Sequence, residues 1–86
     1  MNNQAVCKMT AYELAKSIPP QAREQYIRAG ILYPNINRYI YIYELFQYEL
    51  ARCGVKKEAY LRVGEKCFTC EENVRKIIQR MSREVG

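Results

Sequence analysis

No residue between Asn35 and Arg52 breaks a helix, and that uninterrupted segment decides most of what the chain can become. Eighteen helical residues would span ~27 Å. Pro34 stands just ahead of the segment and Gly54 waits beyond its end. One apolar stripe runs through Ile36, Tyr39, Ile40, Tyr43, Phe46 and Leu50, at the three- and four-residue spacing of a helix face. A second side carries Tyr41, Leu45 and Tyr48. A helix apolar on two sides is either central to its fold or has one face in the core and one on a partner. A strand over Arg38–Tyr43 is the competing reading, given its Tyr and Ile. The helical period continues through Leu50 with no turn signal, so the helix is preferred.

The remaining segments are shorter and well punctuated. Residues 1–9 carry no periodic pattern. Thr10 and Glu13 have the spacing of a capping box, opening a short helix that Ser17-Ile18-Pro19-Pro20 must stop. Pro20 suits the first turn of a second helix, through Ala22, Tyr26, Ile27 and Ala29, with Gly30 as its C-terminal cap. Residues 31–34 connect it to the long segment. Residues 56–66 form another helical stretch, with Ala59, Tyr60, Val63 and Cys67 on one side. Thr69 and Glu72 repeat the capping-box spacing, with Thr69 as N-cap. They open a last helix whose stripe is Val74, Ile77, Ile78, Met81 and Val85. The expected fold is all-α: a small bundle of four or five helices in one domain, residues 10–52 a scaffold and residues 55–82 a helical hairpin.

Composition narrows the function classes. At 86 residues the chain makes one small core, too little for a large active-site cleft. Its 49% apolar content excludes a disordered chain. It has no His and no Asp, so the usual general base, triad partners and metal carboxylates are missing and an enzyme is not expected. No apolar run approaches the ~20 residues that span a bilayer, and no secretory signal opens the chain. A cytoplasmic protein with free thiols, rather than disulfides, at Cys7, Cys53, Cys67 and Cys70 is the expectation. The net charge of +5 is uneven. Residues 1–51 hold five basic and four acidic side chains, and residues 52–86 hold nine basic and five acidic ones. A basic excess in one half points to a polyanion partner.

The last two helices meet across a very short link, Cys67-Phe68, followed by a hydroxyl and a basic amphipathic helix. Over residues 55–82 this order resembles the helix-turn-helix superfamily of DNA-binding domains, and it is similar to the short Mor-type and transposase-like members. The resemblance assigns Val63 and Gly64 to the apolar and small positions of the first helix, where the two helices cross closely. It assigns Cys67 and Phe68 to a buried spot at the turn, Thr69 to the cap, and Val74, Ile77 and Ile78 to the core. The chain departs from the pattern at Phe68, where many members have Gly, and at Cys70, where Ser is usual.

The exposed side of the last helix supports the same partner on physical grounds. Arg, Lys, Gln and Asn can bond base edges in the major groove, and Arg and Lys also hold phosphates. Asn73, Arg75, Lys76 and Gln79 lie nearest the helix start, where base contacts fall in this motif. Arg80 and Arg83 follow toward backbone phosphates, and Lys56 and Lys57 begin the helix that crosses the backbone. Glu71 and Glu72 work the other way: they suit the helix dipole but repel phosphate. Double-stranded DNA is thus the expected partner of a transcriptional regulator or a mobile-element or phage accessory factor.

The other constellations are weaker. Cys67-x-x-Cys70 lacks the second pair that a structural zinc site needs, so no metal or other cofactor is expected. No phosphate loop or nucleophile motif suggests a small-molecule substrate. The eight tyrosines follow helical spacing, which favours core and subunit interface over base stacking. Tyr41, Leu45 and Tyr48 are the expected contacts of a homodimer. The competing reading is a protein-interaction module that uses the Tyr-rich helix 35–52 without touching DNA.

Overall fold

The computed structural model of the protein describes residues 9–84. They form five helices: α1 (Ala11–Lys16), α2 (Pro20–Arg28), α3 (Ile36–Cys53), α4 (Lys56–Lys66) and α5 (Glu71–Met81). Among the described residues there is no strand beyond one isolated antiparallel bridge, between Thr10 and Glu84. The all-α bundle expected from the periodicity is the fold observed. Val85, Cys7 and the stretch before Met9 lie outside the described residues.

Local chemistry sets most of the helix ends. Thr10 Oγ1 accepts from the Glu13 N–H at 3.1 Å, and the Glu13 carboxylate accepts from the Thr10 N–H at 2.9 Å, completing the capping box. Pro20 occupies the first turn of α2. Beyond α2, the Gly30 N–H bonds the Ile27 carbonyl and the Ile31 N–H bonds the Tyr26 carbonyl, a Schellman closure. Gly54, at φ 73°, ends α3 with its N–H on the Leu50 carbonyl at 2.7 Å.

The core is built around α3, which packs against α1, α4 and α5. Its Ile36, Ile40, Ile42 and Phe46 are buried with Ala59 and Val63 of α4, Val74, Ile77, Ile78 and Met81 of α5, and Ala15 of α1. Phe46 stacks on Tyr60 at 4.9 Å and Tyr43 on Tyr12 at 4.3 Å. Three helices covering one make its buried arc wider than a single stripe. Ile42, which the stripe omitted, is therefore fully buried, and so is Glu49. Leu45 lies about 60° around the helix from Ile42 and is half-buried against the core. The second apolar side of α3 thereby reduces to Tyr41 and Tyr48, which remain 58% and 55% exposed.

Polar side chains tie the elements together. Glu49 is only 1% exposed and receives Lys66 Nζ, with the Arg62 guanidinium at 3.6 Å. The bond from Lys66 holds the Glu49 carboxyl below its ordinary value, against the effect of burial. Arg23 is buried, donating to the Ala15 carbonyl at the end of α1 and to Asn37 of α3, both at 3.1 Å. Tyr12 donates to Glu44 at 2.7 Å, where Lys16 also lies at 3.0 Å. The Ala11 N–H bonds the Arg83 carbonyl at 2.8 Å, so the segment after α5 satisfies a free donor of α1.

Candidate nucleic-acid interface

The hairpin of α4 and α5 is held by backbone contacts at its turn. Gly64 is buried, and a methyl group in place of its hydrogen would sit 2.8 Å from the Thr69 carbonyl oxygen. The small residue is thus demanded by the turn's backbone. The Thr69 N–H bonds the Gly64 carbonyl at 2.9 Å, and Arg38 of α3 donates to the Cys67 carbonyl at 3.2 Å. Cys67 is buried, and the residue after it must reverse the chain in the left-handed region.

That residue is Phe68, at φ 57°, the one non-glycine residue with positive φ among those described. It is 95% exposed, which corrects the expectation that it fills a buried spot at the turn. The left-handed backbone directs its side chain away from the core, and Cys67 alone fills the spot. Thr69 also departs from expectation. The N-cap of α5 is Cys70, in extended conformation and without a side-chain capping bond, while the Thr69 N–H bonds the Gly64 carbonyl at the end of α4. Thr69 Oγ1 instead accepts from Asn73 Nδ2 at 2.9 Å.

The basic residues fall into distinct environments. Lys56 and Lys57 occupy the first turn of α4, exposed and with no ion-pair partner among the described residues. A cation there opposes the helix dipole, so helix stability does not account for them. Lys76 and Gln79 are exposed on α5, likewise without a side-chain partner among the described residues. Arg75 is half-buried and paired with Glu72 at 2.5 Å. Each pushes the other toward its charged form, the guanidinium raised and the carboxyl lowered. The free Arg75 expected from the sequence is therefore neutralised locally. Arg83 lies past the end of α5, which stops at Met81, and its side chain is exposed.

Arg80 has two tyrosines beside it. Its guanidinium carbon lies 5.2 Å from the ring centre of Tyr33 and 5.9 Å from that of Tyr39. Asn73, Lys76 and Arg80 come together with Tyr39 and Ile77 around a notch of about 120 Å³. Arg80 also borders an apolar cleft of about 320 Å³ lined by Leu14, Ile31, Leu32, Tyr33 and Met81, among others. The sequence reading missed Tyr33 and Tyr39 as parts of this surface, because Tyr39 falls on the core stripe of α3 and Tyr33 sits in a connector. Among the described residues, no three His, Cys, Asp or Glu side chains gather where a metal could sit, and no helix is long and apolar enough to cross a membrane.

Tyr41 and Tyr48 project from α3. Tyr48 accepts from Arg52 at 3.3 Å and has the Arg52 guanidinium 5.5 Å and Lys66 Nζ 6.0 Å from its ring centre. No protein-family model, no curated protein and no solved structure matches this chain.

Proposed function

We propose that this protein binds double-stranded DNA, with α5 in the major groove and α4 across the backbone, as a small transcriptional regulator or mobile-element or phage accessory factor. The observation that carries this reading is the turn. A left-handed residue at 68 joins two helices whose Val63, Gly64, Cys67, Val74 and Ile77 are buried, while Lys76, Gln79 and Arg80 stay exposed. That combination makes a rigid hairpin with an unspent basic face, as a groove-reading helix requires. Lys76 and Gln79 meet base edges in this reading, and Arg80, Arg83, Lys56 and Lys57 meet phosphates. Asn73 and Arg75 enter the groove only by releasing Thr69 and Glu72.

The test is duplex binding followed by fluorescence anisotropy across a salt series. The logarithm of affinity should fall linearly with that of salt, by ~0.9 per phosphate contacted. Alanine at Lys76, Gln79, Arg80 and Arg83 together should lower that slope by ~0.9 for each of Arg80 and Arg83, leaving the share of Lys56 and Lys57, and unchanged affinity in this variant would overturn the reading. A second reading, a protein-interaction module, has one observation in its favour: Tyr41 and Tyr48 are more than half exposed on the central helix. The two combine if the tyrosines join two copies into a dimer.

A further inference from the structure

We propose that Arg80 grips a phosphate at the notch it lines with Asn73, Lys76 and Tyr39, with Tyr33 and Tyr39 as positioning residues for its guanidinium. This rests on α5 being the DNA-facing helix, and it names the phosphodiester as what the flank of that helix grips. Positions 73, 76 and 80 are three, four and seven residues apart, so they share one stripe of α5. Ile77 gives the notch an apolar wall, Tyr39 reaches it from α3, and no carboxylate lines it. Two cations, Lys76 and Arg80, therefore border this small space with no carboxylate among its lining residues, a setting that suits an anion.

Arg80 differs from the other arginines of the helices. Arg23, Arg28, Arg38, Arg52, Arg62 and Arg75 each donate to a protein acceptor. Arg80 has no acceptor among the described residues, yet Tyr33 and Tyr39 stand within cation–π distance of it. The two rings lie 6.2 Å apart and are inclined at 55°. An aromatic contact engages the face of a guanidinium and leaves its in-plane N–H donors unspent. Those donors match the paired oxygens of a phosphate, and a lysine nearby adds a point charge. Holding the side chain before the ligand arrives lowers the ordering cost of binding.

The experiment uses the full chain, a DNA duplex and inorganic pyrophosphate as separate probes, and the Arg80 Nε–H resonance as a local readout. Wild-type protein should show a shift of that resonance with either probe, with the duplex bound far more tightly. Arg80→Ala should weaken duplex binding and lower the salt slope by ~0.9. Tyr39→Leu should weaken it about two- to fivefold, while Tyr39→Phe, which keeps the ring face, should restore most of the loss. Thermal melts of each variant separate a folding defect from a binding one. If the duplex binds and neither Arg80→Ala nor Tyr39→Leu alters affinity or slope, the notch is wrong and the DNA reading stands. If pyrophosphate moves Arg80 but no duplex binds, the notch stands as a phosphate site and the DNA reading falls. If neither probe moves the resonance, the notch is overturned.

Discussion

Phe68 combines two costs that a folded chain usually avoids: a left-handed backbone on a bulky residue and an aromatic ring in water. Its ring contributes almost nothing to packing, so replacing it removes strain and little else. Phe68→Gly should raise stability by ~0.5–1 kcal/mol, the relief of left-handed strain less the added freedom of the unfolded chain. Urea unfolding checks this, and a lower midpoint would mean the ring holds the turn. Gly64 has the opposite sensitivity. A methyl group there meets the Thr69 carbonyl, which is backbone and cannot swing aside, so Gly64→Ala should cost ~1–3 kcal/mol. Two ionisable residues add a pH signature. Glu49 has its folded value lowered by Lys66, so its contribution is present above the ordinary carboxylate range and is lost as pH falls through the folded value. Glu49→Gln should therefore show a flatter acid limb in a plot of urea midpoint against pH. Tyr12 is the reverse case, pushed up to about 12 by its hydrogen bond to the Glu44 carboxylate. Its contribution is whole below pH 10 and fades as pH rises toward 12, and Tyr12→Phe should remove that alkaline loss.

At the scale of the element, α5 carries the functional argument. Lys76→Ala or Gln79→Ala should cost ~1–3 kcal/mol on a preferred duplex and relax sequence choice, because both would meet base edges. Lys57→Ala or Arg83→Ala should weaken all duplexes alike. Competition binding on a small panel of sequences distinguishes the two patterns. The helix itself should survive every one of these changes, since Val74, Ile77, Ile78 and Met81 anchor its other side. Much of this was legible in the sequence, because caps, prolines and the 3.6-residue period act within a few residues. The Thr10 capping box and the stripe of α5 are local facts of that kind. Thr69 does not cap α5 because Cys70 takes the extended conformation just ahead of Glu71, and the Thr69 hydroxyl accepts from the Asn73 side chain instead of a backbone N–H. Glu49, Ile42 and the Tyr33–Tyr39–Arg80 group were invisible because their surroundings come from distant segments. Lys66 and Arg62 reach Glu49 from another helix, and Arg80 meets its rings across more than forty residues. Side-chain patterning along one helix contains no record of how many neighbours will cover it.

The described residues extend over 39 × 35 × 18 Å, and α3, packed against α1, α4 and α5, keeps one side open. Tyr41 and Tyr48, seven residues or about two turns apart, are exposed on one side of α3, with Arg52 and Lys66 beside Tyr48. A single hairpin presents one short helix to a groove, which gives modest specificity, and a two-fold dimer doubles it by engaging two half-sites ~34 Å apart. The predicted assembly is an isologous dimer in which Tyr41 and Tyr48 of each copy cover the other's face. Light scattering at tens of micromolar, a concentration on the order at which weak dimers form, should give twice the chain mass. Tyr41→Glu with Tyr48→Glu should return it to a monomer without lowering the melting temperature of the fold, since neither ring is in the core. The same double variant should bind one half-site as before and lose its preference for two half-sites spaced by a full turn over two offset by half a turn. A wild-type monomer with no spacing preference would remove the dimer and leave each chain to act on DNA alone.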